Sequence, residues 1–533
     1  MNRLFDISIM SSLLLLFGCS YGQSQYAAAD CSTVSSTSLQ NYDSVSKSVL
    51  DEETRHPIGN SGGNIVWGTR YYMESLLDAY EATNNPKYIQ AFLDTGNWVM
   101  NLAGTLTVLD VADSSSPGHP ATSPVITVMG WPTKLQSFGA PVPILTANGQ
   151  IALYAQGLDP EDPHGPNYFQ VIQQQDGSLE LAWIRDNTVL QGHTIQNSSD
   201  LSALASEPLD FGHSIGRIKP TGLGLPAPGK YEIDFPMQTI WHEQTAGILL
   251  PFARFLLLAS QHPELADTAT LTQWKSKVLA IAEDEEDEFI SDGHGGLRFV
   301  NPIWLPNALA GTDAALDYIA VETTLRLFLY QLTRDPHQLA IAKGLILHQT
   351  DSHLQINSRG WLLLKYWPDA LSWSNQIDAP SGSIWSSFQF DSSAAAPVTD
   401  AGFFVYLLHI ANSFNLAPDL GITEDLMAEN RAALLQYIII PPGREPHQSS
   451  PLLRSSYPAL HSRASDSITP AQDPWAGSGF LTPELADRFF INANWRWMMS
   501  YGRDQQGWPI GYFLRAWARS EAAEIGVCKV QSH

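Results

Sequence analysis

Residues 65–102 read IVWGTRYYMESLLDAYEATNNPKYIQAFLDTGNWVMNL, and this stretch decides the architecture expected of the chain. Apolar residues recur at helical spacing through IVWGTRYYMESLLDAYEATN and again through KYIQAFLDTGNWVMNL. The turn between them is Asn84-Asn85-Pro86. A helix pair cannot bury its own apolar face, so it must stack on neighbours. Pairs closed into a ring leave a cleft at one end, lined by side chains at the starts of the inner helices.

Working outward, the pattern recurs. Met237 to Gln261 pairs with Leu271 to Ile290. Asp317 to Thr333 pairs with His337 to Leu354 across an Arg-Asp-Pro turn, Asp400 to Asn415 with Glu424 to Ile439, and Glu484 to Tyr501 with Trp508 to Glu524. Between the first two pairs, residues 105–235 are rich in Pro, Gly and Ser and contain alternating stretches. Phe169 to Gln173 and Leu179 to Trp183, around Gln175-Asp176-Gly177-Ser178, predict a β-hairpin. Val125 to Met129 and Ile151 to Ala155 are further strand candidates. This region reads as a β-rich insertion over one face of the ring, or as a separate small domain. Two long loops, Gly293 to Leu316 and Trp361 to Phe390, have the length of functional segments.

This arrangement resembles the (α/α) toroid superfamily of carbohydrate-active proteins, which includes polysaccharide lyases, several glycoside hydrolase families and uronyl C5-epimerases. The segment LLDAYEATNNPKYIQAFLDTGNWV is typical of these proteins and marks a fold, not a reaction. The resemblance implies a mainly α fold. Residues 51–533 would form an (α/α) toroid or incomplete barrel of helical hairpins, interrupted by the β-rich insertion.

The first residues look like an export signal. Arg3 supplies a positive start and Ile9 to Phe17 a short apolar run. Leu16-Phe17-Gly18-Cys19 resembles a lipobox, so residues 1–18 are expected to be removed and Cys19 lipidated, with residues 19–50 as a tether. An ordinary cleaved secretory signal is the alternative. The expected location is the periplasm or outer membrane, with the lipid as the only membrane attachment. The other two cysteines, Cys31 and Cys528, are expected to form one disulfide there, the alternative being two free thiols. Net charge is −25, which argues against a nucleic-acid partner and mildly against a polyanionic substrate. The acidic run Glu283 to Glu288 reads as a solvated outer face.

Sixteen tryptophans suit a sugar-stacking cleft, although most belong in a core. Trp98, Trp274 and Trp517 fall within helical runs; Trp67, Trp241, Trp304 and Trp373 lie at helix starts or in loops. Three polar clusters precede or open inner helices: Trp241-His242-Glu243-Gln244, Asp317-Tyr318 with Glu322, and Asn60 to Asn64 followed by Arg70 and Tyr71. Elimination from a uronic acid needs a group that neutralises the carboxylate, a base for the C5 proton and an acid for the leaving oxygen. Tyr318 is the expected base and acid, His242 its partner or an alternative base, and Arg298 and Asn64 the neutralising groups. Arg70, Tyr71, Trp67, Trp241, Glu243, Trp304 and Glu322 would bind substrate. Hydrolysis would instead need two carboxylates, drawn from Glu243, Asp317, Glu322 and Asp400. No metal or other cofactor is expected: HExxH is absent, and His348 and His353 read as solvated residues of an outer helix. The leading expectation is a polysaccharide lyase acting on an alginate- or glucuronan-type polymer. The alternatives are a glycoside hydrolase, a C5-epimerase and a non-catalytic glycan-binding lipoprotein.

Overall fold

The computed structural model describes residues 65–109, 125–133, 137–159, 167–186, 188–205, 209–211, 214–233, 239–302, 304, 311–367, 396, 398–433, 439–440 and 452–453. Cys19, Cys31, Asn64, Trp373, Cys528 and the expected pair at 484–524 lie outside these residues. Among the described residues, no helix is long and apolar enough to cross a membrane.

The quoted stretch folds as a helical hairpin for reasons local to its turn. A π-helical segment, Ile65–Thr69, runs into α1 (Arg70–Thr83). Asn84 ends α1 in the left-handed region, at φ 52°, and its N–H donates to Tyr80 O at 2.6 Å. The Asn85 side chain accepts the Lys87 N–H at 3.2 Å, and Pro86 opens α2 (Pro86–Leu102), where a missing N–H costs nothing.

A β-rich stretch follows. β1 (Gly104–Leu109) pairs antiparallel with β2 (Val125–Gly130), Gly104 opposite Gly130. Next come β3 (Ser137–Phe138), β4 (Val142–Leu145), β5 (Ile151–Asp159), β6 (Asn167–Gln173), β7 (Leu179–Arg185) and β8 (Thr188–Ile195). A short helix, α3 (Ser198–Leu204), leads to β9 (Leu209–Asp210), β10 (Ile215–Pro220) and β11 (Gly229–Glu232). One sheet runs β3-β5-β10-β9 with β4 also on β5; the other runs β11-β6-β7-β8. Inward residues of both sheets, including Ile144, Leu153, Phe169, Leu181, Trp183 and Ile218, share one core, as two sheets packed face to face do. Trp183 is its centre, with Phe169 at 5.3 Å and Phe211 at 5.7 Å between ring centroids. The predicted hairpin is β6–β7, with Gln173 opposite Leu179.

Helices then resume with α4 (His242–Gln261) and α5 (Thr268–Asp284), which ends in a 3-10 turn, Glu285–Glu288. The hairpin of β12 (Phe289–Ser291) and β13 (Leu297–Phe299) precedes α6 (Leu316–Thr333) and α7 (Pro336–His353). The α6–α7 turn repeats the first one. Arg334 takes the left-handed cap at φ 60°, Asp335 accepts the His337 N–H at 3.0 Å, and Pro336 opens the helix. After β14 (Leu354–Ile356) and β15 (Leu362–Leu364) come α8 (Val398–Ser413) and α9 (Glu424–Ala433), then β16 (Ile439–Ile440) and β17 (Leu452–Leu453). Helices α1, α4, α6 and α8 pack side by side in that order, while α9 packs against β15. Phe92 of α2 meets Phe255 of α4 at 4.8 Å, and Phe252 meets Trp274 of α5 edge-on at 5.1 Å.

The expectation of a mainly α toroid is therefore corrected. Helix makes up 49% and strand 26% of the described residues, so this is a mixed α/β chain with several antiparallel sheets. The reason is physical. The strands at 104–232 build sheets with a core separate from that of the helices, and further two-stranded hairpins stand between the helices.

Candidate functional site

The starts of α4 and α6 bring the candidate residues together, with the end of α5 and strand β2 packed against them. His242, the first residue of α4, is buried. Its Nδ1 lies 2.6 Å from Glu288 Oε1. Its Nε2 lies 3.3 Å from Met129 O and 3.4 Å from Asp284 Oδ2. The Met129 N–H in turn donates to Asp284 Oδ2 at 2.6 Å. Burial alone disfavours the charged imidazole. The carboxylates of Glu288, Asp284 and Glu285 outweigh that and hold His242 well above its ordinary range.

Glu243 follows. It is only 3% exposed, and its Oε2 has no hydrogen-bond partner among the described residues. Burial pushes its carboxyl well above the usual carboxylate range, and Glu288 and Asp317 push the same way. Asp317, buried in the first turn of α6, is thus an electrostatic neighbour across the α4–α6 contact. Burial also raises Glu288, up to about 7, against the pull of His242. Glu285 is raised by burial and by Glu322. One turn along α6 the buried Arg326 guanidinium bonds the Glu322 carboxylate. It also donates to Glu286 Oε1 at 2.8 Å, Gln338 Oε1 at 3.0 Å and Ala282 O at 2.6 Å.

The residues expected from sequence are distributed unevenly around this centre. His242, Glu243, Asp317 and Glu322 belong to it. Tyr318, next to Asp317, is partly buried with its ring packed on an apolar cluster of Phe299, Ala314, Ile319, Ile341 and Leu345. Arg298 on β13 is held in an ion pair by Asp313. Arg70 is buried beside Glu74 at 3.4 Å and lies over the Phe403 ring at 4.7 Å. Trp304 is buried, and with the partly buried Trp241 it packs on Val108, Val128 and Ile240, so these two rings line a small core. Trp67 lies in the π-helical segment and Tyr71 in α1. Among the described residues, no group of three or more His, Cys, Asp or Glu is arranged to hold a metal ion.

Two readings of polar residues are corrected. The acidic run is not a solvated face throughout: Glu285 and Glu288 are buried, whereas Glu283 and Asp287 are exposed. His348 and His353 are also buried, with Nδ1 3.4 Å from Asp292 Oδ2 and 3.1 Å from Lys365 O respectively. Asp284, Glu285 and Glu288 are the site residues that sequence reasoning missed. A signal for two of them exists. Trp274, Val278, Ile281, Glu285 and Glu288 continue one buried stripe at alternating spacings of four and three. Met129 contributes only backbone, for which no side-chain signal exists. No protein-family model matches the chain, and no curated protein matches it.

Proposed function

We propose that the protein is a glycan-cleaving enzyme that hydrolyses a glycosidic bond, with Glu243 as general acid and Asp317 as the second carboxylate. The observation that carries this reading is Glu243. It is a buried carboxyl at a helix start, pushed well above the usual carboxylate range by burial and by Glu288 and Asp317, with Oε2 unpartnered among the described residues. A carboxyl whose protonated form is favoured suits the protonation of a leaving glycosidic oxygen, and Asp317 across the α4–α6 contact supplies the second carboxylate. The resemblance of residues 76–99 to carbohydrate-active proteins suggests the substrate class alone, and the hydrolytic reaction rests on Glu243 and Asp317. Export, with Cys19 as a lipid anchor, belongs to the same proposal and rests on residues 1–19.

Elimination by Tyr318 and His242 is less well supported, because Tyr318 packs on apolar side chains and both His242 nitrogens are engaged. A panel of neutral glycans, alginate, glucuronan, hyaluronan and pectate decides between them. The proposal expects reducing ends on one or more glycans without ultraviolet absorbance from a 4,5-unsaturated uronate. Absorbance rising with reducing ends would establish elimination and end the hydrolytic reading.

A further inference from the structure

His242 joins three elements: its own helix α4, the end of α5 with its 3-10 turn, and strand β2. Both ring nitrogens face acceptors. Nδ1 meets the Glu288 carboxylate, and Nε2 sits between the Met129 carbonyl and Asp284 Oδ2. A ring with two N–H groups satisfies both sides, and a neutral ring satisfies one. The shorter, charge-assisted contact is the one at Glu288, so a neutral His242 keeps its proton on Nδ1. Its Nε2 lone pair then points at the Met129 carbonyl and the Asp284 carboxylate from 3.3 and 3.4 Å.

The geometry points to a protonation latch: the doubly protonated His242 ring holds the β1–β2 hairpin against the start of α4 and the end of α5, and loss of one proton releases it. The groups facing the ring are Glu288 and Glu285 from the 3-10 turn, Asp284 from α5, Met129 O from β2 and Glu243 on its own helix. The carboxylates of Glu288, Asp284 and Glu285 stabilise the proton, so release comes on the alkaline side of the ordinary histidine range. Three contacts keep the hairpin near when the latch opens. The Met129 N–H still donates to Asp284 Oδ2 at 2.6 Å, Val108 and Val128 pack on Ile240, Trp241 and Trp304, and the Trp131 indole donates to Val99 O at 2.7 Å. Release is thus local loosening on the carbonyl side of Met129, with the strand still tethered through its N–H. The inference does not depend on the hydrolytic reading.

Deuterium uptake of the full chain against pH, corrected for the intrinsic pH dependence of exchange, tests it. Peptides covering β1 and β2 should lose protection in one step, while peptides covering β6 and β7 keep theirs. His242→Gln should abolish the step. Glu288→Gln, which keeps a hydrogen-bond partner for Nδ1 but removes its charge, should move the step down by ~1–3 pH units. No step in the wild type, an unshifted step in Glu288→Gln, a step retained in His242→Gln, or simultaneous loss from β6 and β7 would each overturn the latch. If His242→Gln does not fold, the Glu288→Gln shift decides alone.

Discussion

Glu243 and Tyr318 both stand in the first turns of their helices, and sequence position alone does not rank them. Their surroundings do: Glu243 is buried beside carboxyls, and Tyr318 leans on Phe299 and Ile341. We therefore expect Tyr318→Phe to keep most of the turnover, well inside the ~100-fold loss that removal of an acid–base group brings. Steady-state rates on the substrate found in the glycan panel check this, and a loss beyond that size would return Tyr318 to the chemistry. The helix-start residues His242, Glu243 and Asp317 were legible because polar side chains interrupt an apolar run there. The partner of Arg298 was not legible: the sequence placed this arginine in a long loop, whereas it lies on β13 in an ion pair with Asp313.

At the scale of elements, the turns were the most legible feature. Asn84-Asn85-Pro86 and Arg334-Asp335-Pro336 each combine a left-handed cap, a side-chain N-cap and a helix-opening proline. The stripe of α5 was less legible because its apolar period runs on into glutamates, and charge overrode period in the reading. Packing between α1 and α4 gives a prediction. A Cβ on Gly247 would sit 2.4 Å from Arg70 Nη1 and 2.7 Å from Val66 Cγ2. Alanine would add ~1 kcal/mol of helix propensity, whereas overpacking a buried contact costs about 1–3 kcal/mol. Arg70 is pinned between Glu74 and Phe403, so the clash prevails. Gly247→Ala should lower the denaturation midpoint; a raised midpoint would show that Arg70 moves freely.

At the scale of the molecule, helical periodicity found α1, α2 and α4 to α7, although the helix expected to run to Ile290 ends at Asp284 and Phe289–Ser291 is a strand. The fold class was still wrong, because short strands leave weak periodic signals and their pairing is not local. The centre at the starts of α4 and α6 has several groups whose protonated forms are favoured. Glu243, Glu285 and Glu288 are all raised above 4.5 in the fold, and His242 above 6.5. Groups raised on folding contribute stability that is complete below their unfolded pKa and lost as pH rises through the folded one. Stability should therefore decline from mildly acidic to alkaline pH, and Tm measured across that range should fall steadily; a rise would contradict the buried protons. The most direct test concerns the proposed glycan cleavage. Glu243→Gln is compared with wild type on the natural glycan and on an aryl glycoside whose leaving group needs no protonation. We predict a loss of ~10²–10⁴ on the glycan and near-normal cleavage of the aryl glycoside. Equal losses on both, or none on either, would contradict Glu243 as the general acid.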